Sequence, residues 1–169
     1  MKDELARAIA SLEQHVAGAR WVPKDNLHLT LTFLGRVDDQ RIGEISSAIA
    51  DVVQGEVDFS VRVGELGAFP SVRRARVVWA GLDDPTQGIA GLAGSVGEAM
   101  EGLGFPREKR GFSPHVTLAR LKTPGRVELN ELLEPIAFPV ERITLFESKL
   151  GRPNAVYSEI ATFPFRRGS

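Results

Sequence analysis

The chain contains no cysteine, only three histidines and no long apolar run. Without cysteine it can form neither disulfide bonds nor thiolate metal sites, which fits a reducing compartment. Polar residues break every apolar run well short of the about 20 residues that a membrane helix requires. The N-terminus leads into an amphipathic pattern and not into a signal peptide. These absences predict a cytoplasmic protein without a membrane segment.

The chain also lacks an excess of charge of either sign, because 21 Lys and Arg face 22 Asp and Glu. Proteins that coat long nucleic acid by counterion release need many cationic contacts, so the composition argues against that mode. It leaves room for a local anion site. Three short stretches do gather basic residues: Arg73, Arg74 and Arg76; Arg107, Lys109 and Arg110; and Arg120, Lys122 and Arg126. Such clusters are as often solvated surface as binding sites, but the last two flank His115.

Length and composition are typical of one globular domain, here residues 1–169, since the chain is 43% hydrophobic and 25% charged. Apolar residues recur at helical spacing in three segments, and strand-like runs lie between them. The predicted helices cover about 1–18, a segment from Asp38 or Asp39 to Gly55, and a segment from Asp84 to Leu103, with a weak one near 128–133. The predicted strands are the run around His28 up to Gly35, 57–63, 76–82, the run around His115, and a terminal hairpin of about 140–150 and 155–163.

Two copies of one short pattern, His-x-Thr-x, are the most informative feature of the chain. They are His28-Leu29-Thr30-Leu31 and His115-Val116-Thr117-Leu118, and they contain two of the three histidines. Each copy lies in an alternating run, so a strand would bury the aliphatic residues and present an imidazole beside a hydroxyl on the other face. The repetition of motif and element order predicts two similar lobes, with one His-x-Thr strand from each lining a central cleft.

Two imidazoles beside one cleft are suited to acid and base catalysis near neutral pH. One can take a proton from an attacking water while the other gives a proton to the leaving oxygen, as in-line displacement at phosphorus requires. Threonine hydroxyls on the same face can hold the non-bridging phosphate oxygens. A single His-x-Thr would be a weak signal, and zinc is the rival use for two histidines, but no third ligand stands at a familiar spacing. We therefore expect no metal and no cofactor, and no serine lies in a nucleophile-elbow context.

Several longer stretches resemble one known family. Arg20-Trp21-Val22-Pro23-Lys24-Asp25-Asn26 followed by the first His-x-Thr copy, and Phe112-Ser113-Pro114 followed by the second, resemble its two signatures. Phe69-Pro70, Arg76-Val77-Val78-Trp79, Glu147-Ser148-Lys149-Leu150 and Tyr157 resemble its middle and C-terminal segments. On these residues the chain resembles the two-histidine phosphoesterases, and within them the bacterial and archaeal RNA 2',3'-cyclic phosphodiesterases, also called 2'-5' RNA ligases.

This resemblance implies a bilobal α+β fold and hydrolysis of RNA 2',3'-cyclic phosphate ends to 2'-phosphomonoesters, with 2'-5' RNA ligation as the possible reverse reaction. It assigns His28 as proton donor to the leaving oxygen and His115 as the base that activates water, with Thr30 and Thr117 as phosphate ligands. Arg120 also matches the second signature, yet strict alternation would place it opposite His115, unless the strand bulges or the side chain reaches round.

Two further residues are expected to bind substrate: Arg110 as part of the cleft wall, and Phe112 as a surface on which a base stacks. The expected partners are RNA with 2',3'-cyclic phosphate ends or small cyclic nucleotides, and the protein is expected to act as a monomer. Alternatives are a related phosphodiesterase for another cyclic or 2'-5' linked substrate, and a non-catalytic module that binds RNA ends. Members of the family usually open with a hydrophobic strand that this sequence does not show. Either the start of the sequence is assigned too late or the sheet lacks a strand, and in the second case we expect an exposed sheet edge and a loss of stability.

Overall fold

The computed structural model describes residues 2–107, 111–129, 137–149, 151 and 155–168. Three short 3-10 turns, at Lys24–Asn26, Asp39–Arg41 and Val72–Arg74, join the main elements. In chain order, the helices and strands are α1 (Lys2–Leu12), β1 (Ala19–Trp21), α2 (Ile42–Val53), β2 (Phe59–Phe69), β3 (Ala75–Asp83), α3 (Gly88–Gly102), β4 (His115–Gly125), β5 (Ala137–Val140), β6 (Arg142–Lys149) and β7 (Val156–Pro164).

Two antiparallel sheets form the two lobes, and the predicted bilobal α+β fold is confirmed. One sheet has the strand order β1-β4-β3-β2-β5, and the other is the hairpin β6-β7. Helix α1 covers the larger sheet with Leu5, Ile9 and Leu12. Helices α2 and α3 pack with the hairpin in a second hydrophobic cluster. Because the chain crosses between the sheets, neither lobe corresponds to one half of the sequence.

The His28 segment forms an interrupted edge in place of the regular strand that its alternation predicts. Strand β1 pairs with β4 at Ala19↔Leu121, Arg20↔Arg120 and Trp21↔Ala119. The 3-10 turn then carries the chain away from β4, and the segment returns to it at a single bridge, Leu29↔Val116. Pro23 begins this excursion because it has no N–H to donate to a ladder.

Contacts from α1 hold the turn that precedes His28. Lys24 forms a salt bridge with Asp3, and the Lys2 Nζ donates to the Asp25 carbonyl at 2.7 Å. The hydrogen bond and the positive charge of Lys24 lower the pKa of Asp3, and the same hydrogen bond and the carboxylate raise the pKa of Lys24. The first helix thus constrains the segment from which the first histidine projects.

Helix ends differ from the predicted ones for local reasons. Helix α1 ends at Leu12, and irregular turns lead to Gly18 at a φ of 71°. Helix α3 begins at Gly88, after the predicted start, although the Asp84 carboxylate still accepts hydrogen bonds from the Gly88 and Ile89 amides at 3.1 and 2.8 Å. The predicted weak helix is irregular at 128–129 and otherwise lies outside the described residues, as does most of the predicted turn at 151–154.

Strand β2 is longer than predicted. The predicted strand ends at residue 63, but β2 continues to Phe69 beyond a bulge between Val63 and Leu66. Gly67 is required within this strand, because a methyl group there would lie 2.2 Å from the ring of Trp79 on β3. Within the described part of the chain, no helix is long and apolar enough to span a membrane.

We predict that Leu12→Ala lowers the free energy of unfolding by about 2–5 kcal/mol, because truncation of a buried leucine loses apolar burial and leaves a cavity. Leu12 is 1% exposed between α1 and the larger sheet. Urea unfolding followed by circular dichroism measures the change. The control is Val156→Ala on β7, where the side chain is 57% exposed and the expected change is within about 0.5 kcal/mol. Equal losses in both variants would contradict this account of the core.

Candidate active site

The histidines of the two His-x-Thr copies are anchored in the same way. The Nδ1 of His28 lies 2.6 Å from the Asn26 carbonyl oxygen, and the Nδ1 of His115 lies 2.7 Å from the Ser113 carbonyl oxygen. A carbonyl oxygen only accepts hydrogen bonds, so each Nδ1 must carry the proton and donate it. Each Nε2 is therefore left to exchange a proton with a substrate, and neither ring needs to flip between its roles as base and acid.

The single bridge at Leu29↔Val116 brings the two His-x-Thr copies together. The pairing is antiparallel, and continued by one residue on each side it sets His28 opposite Thr117 and Thr30 opposite His115. Leu29 and Val116 pack in the core below. The four polar side chains consequently share the opposite face, in an arrangement with approximate two-fold symmetry about the bridge.

Arg120 lies on the same face as His115, because β4 bulges. Val78 of β3 pairs with Ala119, and the next residue, Trp79, pairs with Thr117. Leu118 is therefore an extra residue, and both Leu118 and Ala119 are fully buried. The bulge inverts the alternation beyond it, so Arg120 faces the cleft side. The sequence left two ways for Arg120 to reach the His115 face, a bulge in the strand or a side chain that reaches round it, and the structure shows a bulge. Arg120 is exposed, and it forms no ion pair with the described residues.

Aromatic side chains that the sequence reasoning did not place in the site surround each histidine. The ring of Tyr157 meets His28 edge-on at 4.7 Å between centroids, and Phe146 lies 6.1 Å from it. Both come from the β6-β7 hairpin. The signal that could have found Tyr157 is that it is the only tyrosine of the chain, on the inward side of an alternating strand.

His115 is enclosed by the larger sheet instead. The ring of Phe69 meets it edge-on at 5.2 Å, and the ring of Trp79 lies 6.1 Å from it. Phe69 and Trp79 themselves lie 5.1 Å apart. Phe69, Trp79 and His115 lie close together because β2, β3 and β4 are neighbours in the sheet. The linear sequence does not reveal this order.

Of the two further residues predicted to bind substrate, the structure describes only one. Phe112 is exposed, three residues before His115. Arg110 lies outside the described residues. Arg107, from the same basic cluster, forms salt bridges with Glu98 and Glu101 of α3 at 3.7 and 3.8 Å. Its positive charge therefore offsets these two carboxylates. Arg73 and Arg74 are exposed at the 3-10 turn before β3.

Proton exchange is the chemistry that this arrangement supports. Two imidazoles present Nε2 on one face, two threonine hydroxyls lie beside them, and a cationic side chain follows on β4. Within the described residues, no group of three or more His, Cys, Asp or Glu side chains could hold a metal ion.

Solved structures share the fold. The crystal structure of TT0787 of Thermus thermophilus matches with a TM-score of 0.88 at 28% identity, over 99% of this chain and 93% of that chain. The crystal structure of Escherichia coli LigT complexed with 3'-AMP matches with a TM-score of 0.78 at 26% identity, over 98% of this chain and 92% of that chain.

Curated relatives match over most of their length. The RNA 2',3'-cyclic phosphodiesterase of Thermotoga maritima is 33% identical, over 99% of this chain and 91% of its own length. The protein of the same name from Aquifex aeolicus is 32% identical, over 85% of this chain and 80% of its own length. The model of the LigT like phosphoesterases matches residues 1–79 and 81–157. The chain therefore belongs to the LigT-like phosphoesterase family, the two-histidine phosphoesterases that its paired motifs resemble.

Proposed function

We propose that this protein hydrolyses RNA 2',3'-cyclic phosphate ends to 2'-phosphomonoesters. The observation that carries the proposal is the pair of histidines, each with Nδ1 donating to a backbone carbonyl and Nε2 directed to exchange protons. The relatives named as RNA 2',3'-cyclic phosphodiesterases support the substrate class. A module that only binds phosphate would be served as well by arginines, so the paired imidazoles favour turnover.

In the proposed reaction His115 is the base and His28 the acid. The Nε2 of His115 takes a proton from water as its oxygen attacks phosphorus, and the bond between phosphorus and the 3'-oxygen breaks. The Nε2–H of His28 donates its proton to that leaving oxygen, which becomes the 3'-hydroxyl. The product keeps the phosphate on the 2'-oxygen. Both histidines then return to their starting states by exchange with solvent.

The threonines and Arg120 hold the phosphate. Thr30 and Thr117 donate hydrogen bonds to the non-bridging oxygens, where negative charge must be stabilised in the transition state. Each threonine lies opposite the other motif's histidine, so the phosphorus is held between the acid and the base. The Arg120 guanidinium adds positive charge on the same face. No Lewis acid is required by this scheme, because a strained cyclic diester is already activated.

The same site could also transfer the 2'-phosphoryl group to RNA instead of to water. If a 5'-hydroxyl of RNA replaces water as the nucleophile, the product is a 2'-5' phosphodiester, and the roles of the two histidines are unchanged. Exposed Phe112 provides an aromatic surface for base stacking near His115, and exposed Phe146 does so near His28. Arg110, which lies outside the described residues, remains a candidate contact for the RNA backbone.

We predict that His28→Ala and His115→Ala each lower turnover of a short RNA ending in 2',3'-cyclic phosphate by about 10²–10⁴-fold, since each removes one proton-transfer group. The measurement includes EDTA and separates 2'- from 3'-phosphate products by chromatography. The wild type should release only the 2'-phosphate.

The matched control is His15→Ala, which removes the third histidine, exposed after α1. It should retain wild-type turnover. A well-folded wild type without turnover, or abolition of turnover by EDTA, would contradict the proposal, and a panel of cyclic and 2'-5' linked nucleotides would then identify the substrate.

We predict that kcat/KM passes through a maximum as pH is varied across the neutral range. One imidazole must be neutral and the other protonated, so too low a pH removes the base and too high a pH removes the acid. The two limbs belong to the pair and not to either residue alone. A profile that stays flat from about pH 5 to 9 would exclude imidazole acid and base catalysis.

We predict that Arg120→Ala lowers kcat/KM by about 10- to 100-fold, because a charge-assisted hydrogen bond to the phosphate is lost. Arg120→Lys should recover part of the loss. The control is Arg126→Ala, which removes an exposed arginine that lies 4.0 Å from Glu128. Equal kcat/KM in the Arg120→Ala variant and the wild type would show that the bulge in β4 does not direct this side chain to substrate.

A further inference from the structure

Trp79 lies in the middle of the sheet face that carries His115. Its cross-strand partners are Gly67 on β2 and Thr117 on β4. It contacts the rings of Phe69 and His115. It belongs to none of the three hydrophobic clusters of the described residues, so ordinary core packing does not account for it.

The indole of Trp79 rests on bare backbone. A methyl group at Gly67 would lie 2.2 Å from Cζ2 of the indole and 2.3 Å from Cη2, far inside any permitted contact. A methyl group at Gly81, the cross-strand partner of His115, would lie 3.2 Å from Cζ3. The indole can therefore occupy this place only because residue 67 is glycine.

Stability alone does not explain a tryptophan at this position. Its Nε1 is buried and has no hydrogen-bond partner among the described residues. A buried donor without an acceptor destabilises a fold, and a leucine or phenylalanine would fill such a place without that cost. Side chains that cost stability are expected where they serve a functional site, and this one packs beside His115.

We propose that Trp79, seated on Gly67, is a positioning residue for His115. The hydrogen bond to Ser113 restrains the Nδ1 side of the imidazole, and the rings of Phe69 and Trp79 restrain its plane. Together they aim Nε2 at the water that attacks phosphorus. This inference rests on the proposed role of His115 as the base.

The first test places a methyl group beneath the indole. Gly67→Ala should lower kcat by on the order of 10- to 100-fold, because a displacement of about 1 Å is enough to spoil proton-transfer geometry. KM should stay unchanged, since Trp79 does not contact the phosphate in the proposed scheme. The matched control is Gly64→Ala on the same strand, where the added methyl meets its nearest atom at 3.6 Å.

A double variant distinguishes an effect of Gly67→Ala through Trp79 from general damage to strand β2. Trp79→Leu should lower kcat to a similar extent, and in that background Gly67→Ala should cause no further loss. If Gly67→Ala does not fold, Trp79→Phe and Trp79→Leu still decide the question. A wild-type kcat in either tryptophan variant, or additive losses in the double variant, would overturn the proposal.

A second test does not depend on turnover. The chain has two tryptophans, so Trp21→Phe leaves Trp79 as the only one. Its fluorescence should change in one step as His115 is titrated, because the two rings lie 6.1 Å apart. The step should vanish in His115→Ala and weaken in Gly67→Ala. It should persist in His28→Ala and in Glu65→Gln, which neutralises the residue whose Cγ approaches Gly81. Persistence of the step in His115→Ala would overturn the proposal even if the substrate is another phosphodiester.

Discussion

The burial of two aliphatic side chains, Leu29 and Val116, is the constraint on which the site depends. They form the one bridge between the two His-x-Thr copies and pack into the core of the larger sheet. Because side chains alternate along extended backbone, burial of these two directs both histidines and both threonines to the opposite face. A slip of one residue would invert this arrangement and bury the imidazoles. The hydrophobic effect thereby positions the four polar side chains to which the proposed mechanism assigns catalysis and phosphate binding.

The two histidines differ in their surroundings and not in their anchoring. Each donates from Nδ1 to the carbonyl two residues before it, so the backbone sets the same tautomer twice. His28 projects from an interrupted edge and faces the hairpin through Tyr157, whereas His115 begins a continuous strand and faces Phe69 and Trp79. In the proposed mechanism, the division into acid and base must therefore come from the neighbours and from the substrate, since the local backbone treats the two residues alike.

The alternation of apolar and polar residues in the sequence predicted which side chains of each His-x-Thr copy share a face. It did not predict features that arise from pairing with a neighbouring strand. The His-x-Thr repeat predicted which four side chains share a face. The bulge at Leu118 was foreseen only as one of two options for Arg120, because the register with β3 creates it. The predicted strand ended at residue 63, before Gly67. The place of Gly67 in β2 follows from the indole of Trp79, which lies 12 residues later in the chain and beside it in the sheet.

The two faces of the larger sheet differ in how well their side chains are packed and hydrogen-bonded. On the core face, Val78, Ala80 and Leu118 are fully buried aliphatic residues in ordinary packing. On the other face lie exposed Phe69 and the indole of Trp79, whose buried N–H has no partner among the described residues. An unpaired buried donor costs stability, and both rings lie near His115. These departures lie beside the imidazole to which the proposed mechanism assigns the base role, and the apolar face behind it supplies the stability of the sheet.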